Sequence, residues 1–341
     1  MDWVVVLGYA VVALAAARLV WWLLAYIAGD VREVFRHRAA RQARRGLFRP
    51  KVSVLVHATD ADADLLEGCL HSVFTGTQRP ASVVVLAAGD VAYQAAAAYQ
   101  RTYGASPQLT VVPHEAPVDT IADIGRLCRK HGKGSLGVFV RARHHLDARA
   151  LHRGMQHFRD KHVAVLGAPA VARLDHSVWR ALVCAQQLVA RHVQRARRGS
   201  AASVYGAIFL RRHAPWSSLL QRPVYAPDVY VYEHVRQPVR AFVLSRNRSA
   251  LAPLWVSAEL AAIGAVLYTY GTSRGLLMLS FAGGLALLLV AVAIWAHKGV
   301  GASDKVSIFL LAPFVWVGYV LGAFTGALRR LGARQKSSVS R

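Results

Sequence analysis

The two ends of this chain are too apolar to fold in water. Residues 3–27, WVVVLGYAVVALAAARLVWWLLAYI, exceed the roughly 20 consecutive apolar residues that cross a bilayer. Residues 276–296 and 306–328 are long and free of charged side chains. In lipid every backbone N–H and C=O must be satisfied within its own element, so these runs are expected as helices. A further stretch, 253–271, is shorter and contains Glu259. It is read either as a span or as an interfacial helix. The first run starts acidic, at Asp2, and is followed directly by charge. That is the pattern of a retained anchor and not of a cleaved leader. The expected organisation is a transmembrane helix in 1–30, a basic interfacial segment in 31–51, a central domain in 52–247, two or three transmembrane helices in 253–328 and a basic tail in 329–341.

Lys and Arg number 42 against 18 Asp and Glu, for a net charge of +24. Such an excess fits nucleic acid or an anionic membrane. The densest run, VREVFRHRAARQARRGLFRPK, carries eight Lys or Arg and one Glu and directly follows the first apolar run. Val31, Val34, Phe35, Ala39, Ala43 and Leu47 recur in it at helical spacing. Anionic lipid headgroups are therefore the expected partner of this segment, with a solvated linker as the plain alternative. No helix-turn-helix, zinc finger or aromatic-interleaved basic patch is found, and no nucleic acid is expected.

Because Lys and Arg beside spans favour the cytoplasm, the central domain is expected on the inner face of a cell membrane. With three C-terminal spans, the tail LRRLGARQKSSVSR would end outside, against the same rule, unless 253–271 does not cross. Arg18 and Glu259 are the only charges inside the expected spans and are costly there unless paired. Their depths from the cytoplasmic ends are ~13 and ~9 Å at the helical rise, so a salt bridge between them is expected. The alternative is a snorkelling Arg18 with Glu259 facing a partner or a polar path.

The middle of the chain is different. Strands are expected at 52–57, 82–87, 108–112, 137–141, 163–169 and 204–210, with helices around 62–75, 90–104, 118–132, 147–160 and 176–197. Continuous β-branched runs alternating with helices predict a mostly parallel sheet covered on both faces. Ligands in such sheets bind beyond the carboxyl ends of the strands, which directs attention to the loops after His57, Ala87 and Arg141. Cys69, Cys128 and Cys184 have no paired spacing and read as small buried hydrophobes. His144 and His145 are adjacent and flanked by arginines, a poor pattern for metal ligands.

This order of pieces resembles the membrane-anchored family-2 glycosyltransferases, the branch with chitin-oligosaccharide, poly-N-acetylglucosamine, hyaluronan and cellulose synthases. PKVSVLVHATDADADLLEGCLHSVFTGTQRPASVVVLAAGD looks like the family's opening strand, helix and second strand. VYGAIFLRRHA resembles its acceptor-side strand, which makes Gly206 and Arg211 acceptor-side residues. The resemblance implies an α/β, Rossmann-like GT-A sugar-nucleotide-transferase domain joined to transmembrane helices. It also implies acids after the first two strands for the nucleoside, an Asp-x-Asp pair for a divalent metal and an acidic base.

The chemistry departs from that pattern. Asp60 stands beside the first acidic position, Ala87 and Ala88 occupy the second with Asp90 nearby, and Arg141-Ala142-Arg143 occupies the Asp-x-Asp position. YAPDVYVYEHVRQ falls where the family has its Glu-Asp pair at a helix start, leaving Asp228 either as the base or as a helix cap. The Gln-x-x-Arg-Trp motif has no copy beyond Arg246, Arg248 and Trp255. Two functional expectations follow. One is a catalytically degenerate subunit or scaffold in surface polysaccharide or glycolipid synthesis or export, beside an active membrane partner and without a divalent metal. The other is an active metal-independent transferase in which Arg141 and Arg143 hold the donor diphosphate, Asp60 and Asp90 approach the nucleotide, and a nucleotide sugar is the ligand.

Overall fold

The computed structural model describes residues 51–102, 109–174, 177–197, 205–213, 223–226, 228–244 and 300–311, with scattered positions in 13–50, 260–295 and 313–321. By internal contacts the chain forms two compact units. One comprises Asp30–Arg173 and Gln194–Val235; the other gathers Met1–Gly29, Leu174–Val193 and Arg236–Arg341.

The first unit is built on a seven-stranded sheet in the order β3-β2-β1-β4-β8-β6-β9. Its strands are β1 (Val52–Thr59), β2 (Ser82–Ala88), β3 (Leu109–Pro113), β4 (Leu136–Arg141), β6 (Val165–Ala168), β8 (Ala207–Arg211) and β9 (Val224–Tyr225). The helices that connect them are α1 (Leu66–Phe74), α2 (Asp90–Thr102), α3 (Ile121–His131) and α4 (Ala150–His157). All six expected strands and the first four expected helices are present, with ends shifted by a few residues. The sheet is mostly parallel, as expected, with one strand reversed. Strands β3, β2, β1 and β4 are parallel, but β8 runs antiparallel to both β4 and β6. β4 and β6 therefore run the same way, and β8 fills the gap between them in the opposite sense.

Period-two alternation explains why the β1 run is apolar throughout. Val54 and Val56 face one side and pack with Leu66, Leu70, Ala92 and Met155 from α1, α2 and α4. Leu55 faces the other side and packs with Ile121, Ile124 and Leu127 of α3. Both faces are thus covered, and full burial of each such aliphatic side chain contributes about 1.5–3 kcal/mol. The start of α3 is fixed by a capping box in which the Thr120 hydroxyl accepts from the Asp123 backbone N–H and the Asp123 carboxylate accepts from that of Thr120.

A second sheet of three short strands, β5 (His144–Leu146), β10 (Val231–Glu233) and β7 (Ala170–Ala172), has β10 at its centre. β10 pairs antiparallel with β5 and parallel with β7. Because β5 follows β4 after a tight turn, this sheet stands at the carboxyl edge of the large one.

In the other unit, the part of α5 (Val178–Arg197) up to Val193 meets α6 (Pro238–Leu244) through a side-chain hydrogen bond, in which Gln186 Nε2 donates to the Phe242 carbonyl at 3.0 Å. The Trp179 and Phe242 rings add a tilted contact at 5.9 Å. A further helix, α7, covers Ala302–Leu311. Among the described residues no helix is long and apolar enough to cross a membrane. Most of 3–27, 253–271, 276–296 and 306–328, together with Arg18 and Glu259, lies outside the described residues.

Candidate functional site at the carboxyl edge of the sheet

β1 carries His57 and Thr59 to its end, and the chain then turns through a 3-10 segment, Asp60–Leu65. Asp60 is exposed but engaged by the next helix. Its carboxylate accepts a hydrogen bond from the Ala92 N–H at 2.9 Å, one of the orphan donors at the start of α2. It also fills the space beside Gly89, where a Cβ would collide with it and where the backbone adopts φ +113°. Asp90 lies exposed in the first turn of the same helix. Both acids at the β2 end therefore complement the positive end of α2.

β4 delivers Arg141 to the same edge. Its guanidinium lies 6.0 Å from the Phe139 ring centroid and donates one long hydrogen bond, 3.5 Å, to the Val118 carbonyl. Burial, followed by the neighbouring Arg143, lowers its proton affinity, while Asp119, Glu233 and Asp62 act in the opposite direction. Arg143 stands 3.3 Å from the Glu233 carboxylate through Nε, close enough for an ion pair but without the alignment of a hydrogen bond. Glu233 also lies 3.9 Å from Nε2 of His144, which is 2% exposed. Burial lowers the His144 pKa, partly offset by Glu233. His57 is pushed down to about 4 by burial, then by Arg141 and His114, so it is neutral near pH 7. Its Nε2 is buried without a hydrogen-bond partner.

The edge is consequently not a bare patch of cations. Arg141 and Arg143 share it with Asp62, Asp119 and Glu233, and His57 is neutral at pH 7. Glu233, Asp62 and Asp119 were not singled out from the sequence. The only available signal was in VYVYE, where Val229 and Val231 are buried and alternate with half-buried Tyr230 and Tyr232, a strand pattern that places Glu233 at a strand end.

The same alternation corrects the expectation for Asp228. No helix begins there; the residue lies between β9 and β10, so the helix-cap reading and the helix-start placement are corrected. Its carboxylate is 2.8 Å from Nε2 of His157 at the end of α4, and its carbonyl accepts from Arg153 at 3.1 Å. Gly206 and Arg211 are separated by the length of β8. Gly206 is at the carboxyl edge, where a Cβ would meet Ala170 and Val231 at 2.8 Å. Arg211 pairs with Leu136 at the opposite edge, where its Nε donates to the Val163 carbonyl at 2.9 Å and Nη2 to the carbonyl of Asp160 at 2.9 Å. Arg246, Arg248 and Trp255 lie outside the described residues. Among the described residues no three His, Cys, Asp or Glu side chains stand together as metal ligands would.

No protein-family model and no curated protein sequence matches this chain. Among solved structures it is similar to a mannosyltransferase from Pyrobaculum calidifontis in complex with GDP-mannose and Mn2+. The TM-score is 0.51 at 15% identity, over 90% of this chain and 99% of that one. At that identity the likeness establishes the fold: this chain has a glycosyltransferase-like fold, mixed α/β with a central sheet rich in parallel pairs.

Proposed function

We propose that this chain is a catalytically degenerate, membrane-embedded member of the glycosyltransferase-like fold, acting as a subunit or scaffold in surface polysaccharide or glycolipid assembly. The observation that carries the reading is the employment of the acids. Asp60 caps α2, Glu233 balances Arg143 and Asp228 is held by His157. Guanidiniums have only donors, so the Arg141-Ala142-Arg143 position offers a divalent cation no ligand. The position that would carry the Asp-x-Asp pair supplies no carboxylate for Mg2+ or Mn2+, and no step is derived through such an ion.

Support for the membrane frame comes from an inversion of burial. The described large hydrophobic residues that are exposed include Trp21, Leu24, Trp295, Val306, Leu310, Phe314, Val317 and Leu321, and all of the exposed set except Val91 and Tyr93 belong to the unit holding the two chain ends. The last five recur at helical spacing along one stripe, as lipid-facing positions do. In this reading the chain is multi-pass in the cell membrane, the sheet domain is cytoplasmic, the 31–51 segment rests on anionic lipid, and the partner is another membrane protein, an active transferase or an export subunit.

The test uses the full chain in nanodiscs with a panel of nucleotide sugars, with and without Mg2+ or Mn2+. The expected result is neither donor hydrolysis nor transfer, together with co-purification of a membrane glycosyltransferase or exporter. Metal-dependent transfer would overturn the reading. A second reading, a metal-independent transferase using Arg141 and Arg143 on the donor diphosphate, is favoured by the single long hydrogen bond of Arg141. Turnover in the presence of a chelator, abolished by Arg141→Ala, would establish it in place of the first.

A further inference from the structure

β10 has two faces. Val231 is buried in the core and Glu233 turns to Arg143, so Tyr232 projects from the other face; Tyr230, just before the strand, accepts from the Asp147 N–H through its carbonyl and shares Asp147 and Arg153 as neighbours with Tyr232. Against those tyrosines the fold packs side chains that the edge cluster does not use. Arg153 of α4 stacks on Tyr230, with its guanidinium carbon 4.8 Å from the ring centroid. Its Nη1 is pinned to the Asp228 carbonyl at 3.1 Å, and one turn along α4 His157 is pinned to the Asp228 carboxylate at 2.8 Å. Asp147 closes the arrangement: its N–H donates to the Tyr230 carbonyl at 3.1 Å, and its Oδ1 accepts from the Arg149 N–H at 3.0 Å. All of these side chains except exposed Arg149 are half-buried.

We propose that this face, made by Tyr230, Tyr232, Asp147, Arg153 and His157, binds a neutral glycan chain. It rests on the reading that the protein takes part in glycan assembly, and it gives the scaffold something to hold. A pyranose presents an apolar C–H face within a rim of hydroxyls, each both donor and acceptor. Two phenols two residues or ~7 Å apart, one in β10 and one just before it, supply apolar area with a polar tip for successive rings. Carboxylate, guanidinium and imidazole supply the planar acceptors and donors that a hydroxyl rim requires. Burial raises both phenol pKa values, so Tyr230 and Tyr232 keep their protons and both hydrogen-bonding roles. Arg153 and His157 are already held by Asp228, so little side-chain entropy is lost on binding. Asp147 and Asp228 match or exceed the positive charge of Arg153 and His157, which disfavours uronates and other anionic sugars.

The experiment titrates the full chain in nanodiscs with hexasaccharides of glucose, mannose, N-acetylglucosamine and a uronate, followed by saturation-transfer NMR. Sugar-headed detergents are left out because they compete. At least one neutral hexasaccharide is expected to bind in the absence of any donor and more tightly than the uronate. Tyr230→Ala and Asp147→Asn are each expected to weaken binding about tenfold, equivalent to ~1.4 kcal/mol. Arg126→Ala, on the exposed surface of α3, should leave it unchanged. Tyr232→Phe, which keeps the ring, serves if Tyr230→Ala does not fold, and should lose affinity with unaltered thermal unfolding. Absence of neutral-hexasaccharide binding up to 10 mM, on the order of the weakest sugar affinities, overturns the site. So does tighter binding of the uronate, or neutral binding indifferent to all three substitutions. Donor turnover is assayed in parallel: transfer with intact glycan binding overturns degeneracy alone, and no transfer with no glycan binding overturns this site alone.

Discussion

Asp60 either caps α2 or waits for a nucleotide, and a double-mutant cycle with Gly89 separates the two. A Cβ at Gly89 meets two obstacles: a backbone at φ +113° that L side chains rarely adopt, and the Asp60 carboxylate. The first costs about 1–3 kcal/mol in any background. The second is relieved if Asp60 swings away, but the Ala92 N–H then loses its acceptor, a change of about 0.5–2 kcal/mol at a helix start. Gly89→Ala should therefore destabilise the start of α2 by about 1.5–5 kcal/mol in the native background and by only the backbone part in Asp60→Ala. Asp60→Ala alone should cost about 1 kcal/mol, with Asp60→Asn smaller because its amide oxygen still accepts. The coupling energy should lie near 0.5–2 kcal/mol. Hydrogen exchange of the α2 amides in the detergent-solubilised chain reads each value locally, without requiring the whole protein to unfold in one step. Additive losses, with no coupling, would refute the capping assignment and return Asp60 to the list of free carboxylates at the edge.

Acid should weaken the sheet domain. His57, His144 and His145 have folded pKa values lowered chiefly by burial, so the unfolded chain takes up protons first as pH falls. Their contribution is complete above pH 6.5 and is lost between there and about 4, the folded value of His57; a midpoint denaturant concentration flat across pH 7 to 5 would contradict this. Cys69 and Cys128 are pushed up to about 12 by burial, so maleimide at pH 8 should label neither in the folded chain and both after denaturation. Glu233→Gln breaks an ion pair whose side chains are 39% and 20% exposed, and should cost about 1 kcal/mol or less in exchange protection of the small sheet; a loss above ~3 kcal/mol would mark the pair as fully desolvated. Gly154→Ala drives a methyl into the Phe209 ring where α4 crosses β8 and should cost about 1–3 kcal/mol, with partial recovery in Phe209→Leu, measured by thermal unfolding.

What could be read from the sequence divides along the range of the interactions. β1, β2 and β4 were legible because a strand buried on both faces must be apolar throughout, and the runs around Leu55, Val84 and Phe139 have that property without reference to any partner. The carboxyl edge was legible for the same reason, since the ends of those runs are visible. The state of each charge at the edge was not. Arg141 and Arg143 read as an uncompensated pair because Asp119 precedes α3 and Glu233 ends β10, and no local pattern says which remote carboxylate will arrive beside a given guanidinium. Asp60 likewise looked free because its donor, Ala92, lies in the next βα unit. Asp228 was misplaced for a different reason: Pro227 before an acid is a strong helix-start pattern, and it outweighed the four-residue alternation Val229, Tyr230, Val231, Tyr232 that follows. That alternation matches the burial: Val229 and Val231 are buried and Tyr230 and Tyr232 half-buried, with strand pairing from Val231 to Glu233, whereas a helix would scatter those side chains around its axis. The consequence is physical as well as topological: with Glu233 delivered to the edge by the same strand, the arginines are neutralised from within the domain. Any anion that binds them must first compete with a carboxylate already 3.3 Å from Arg143.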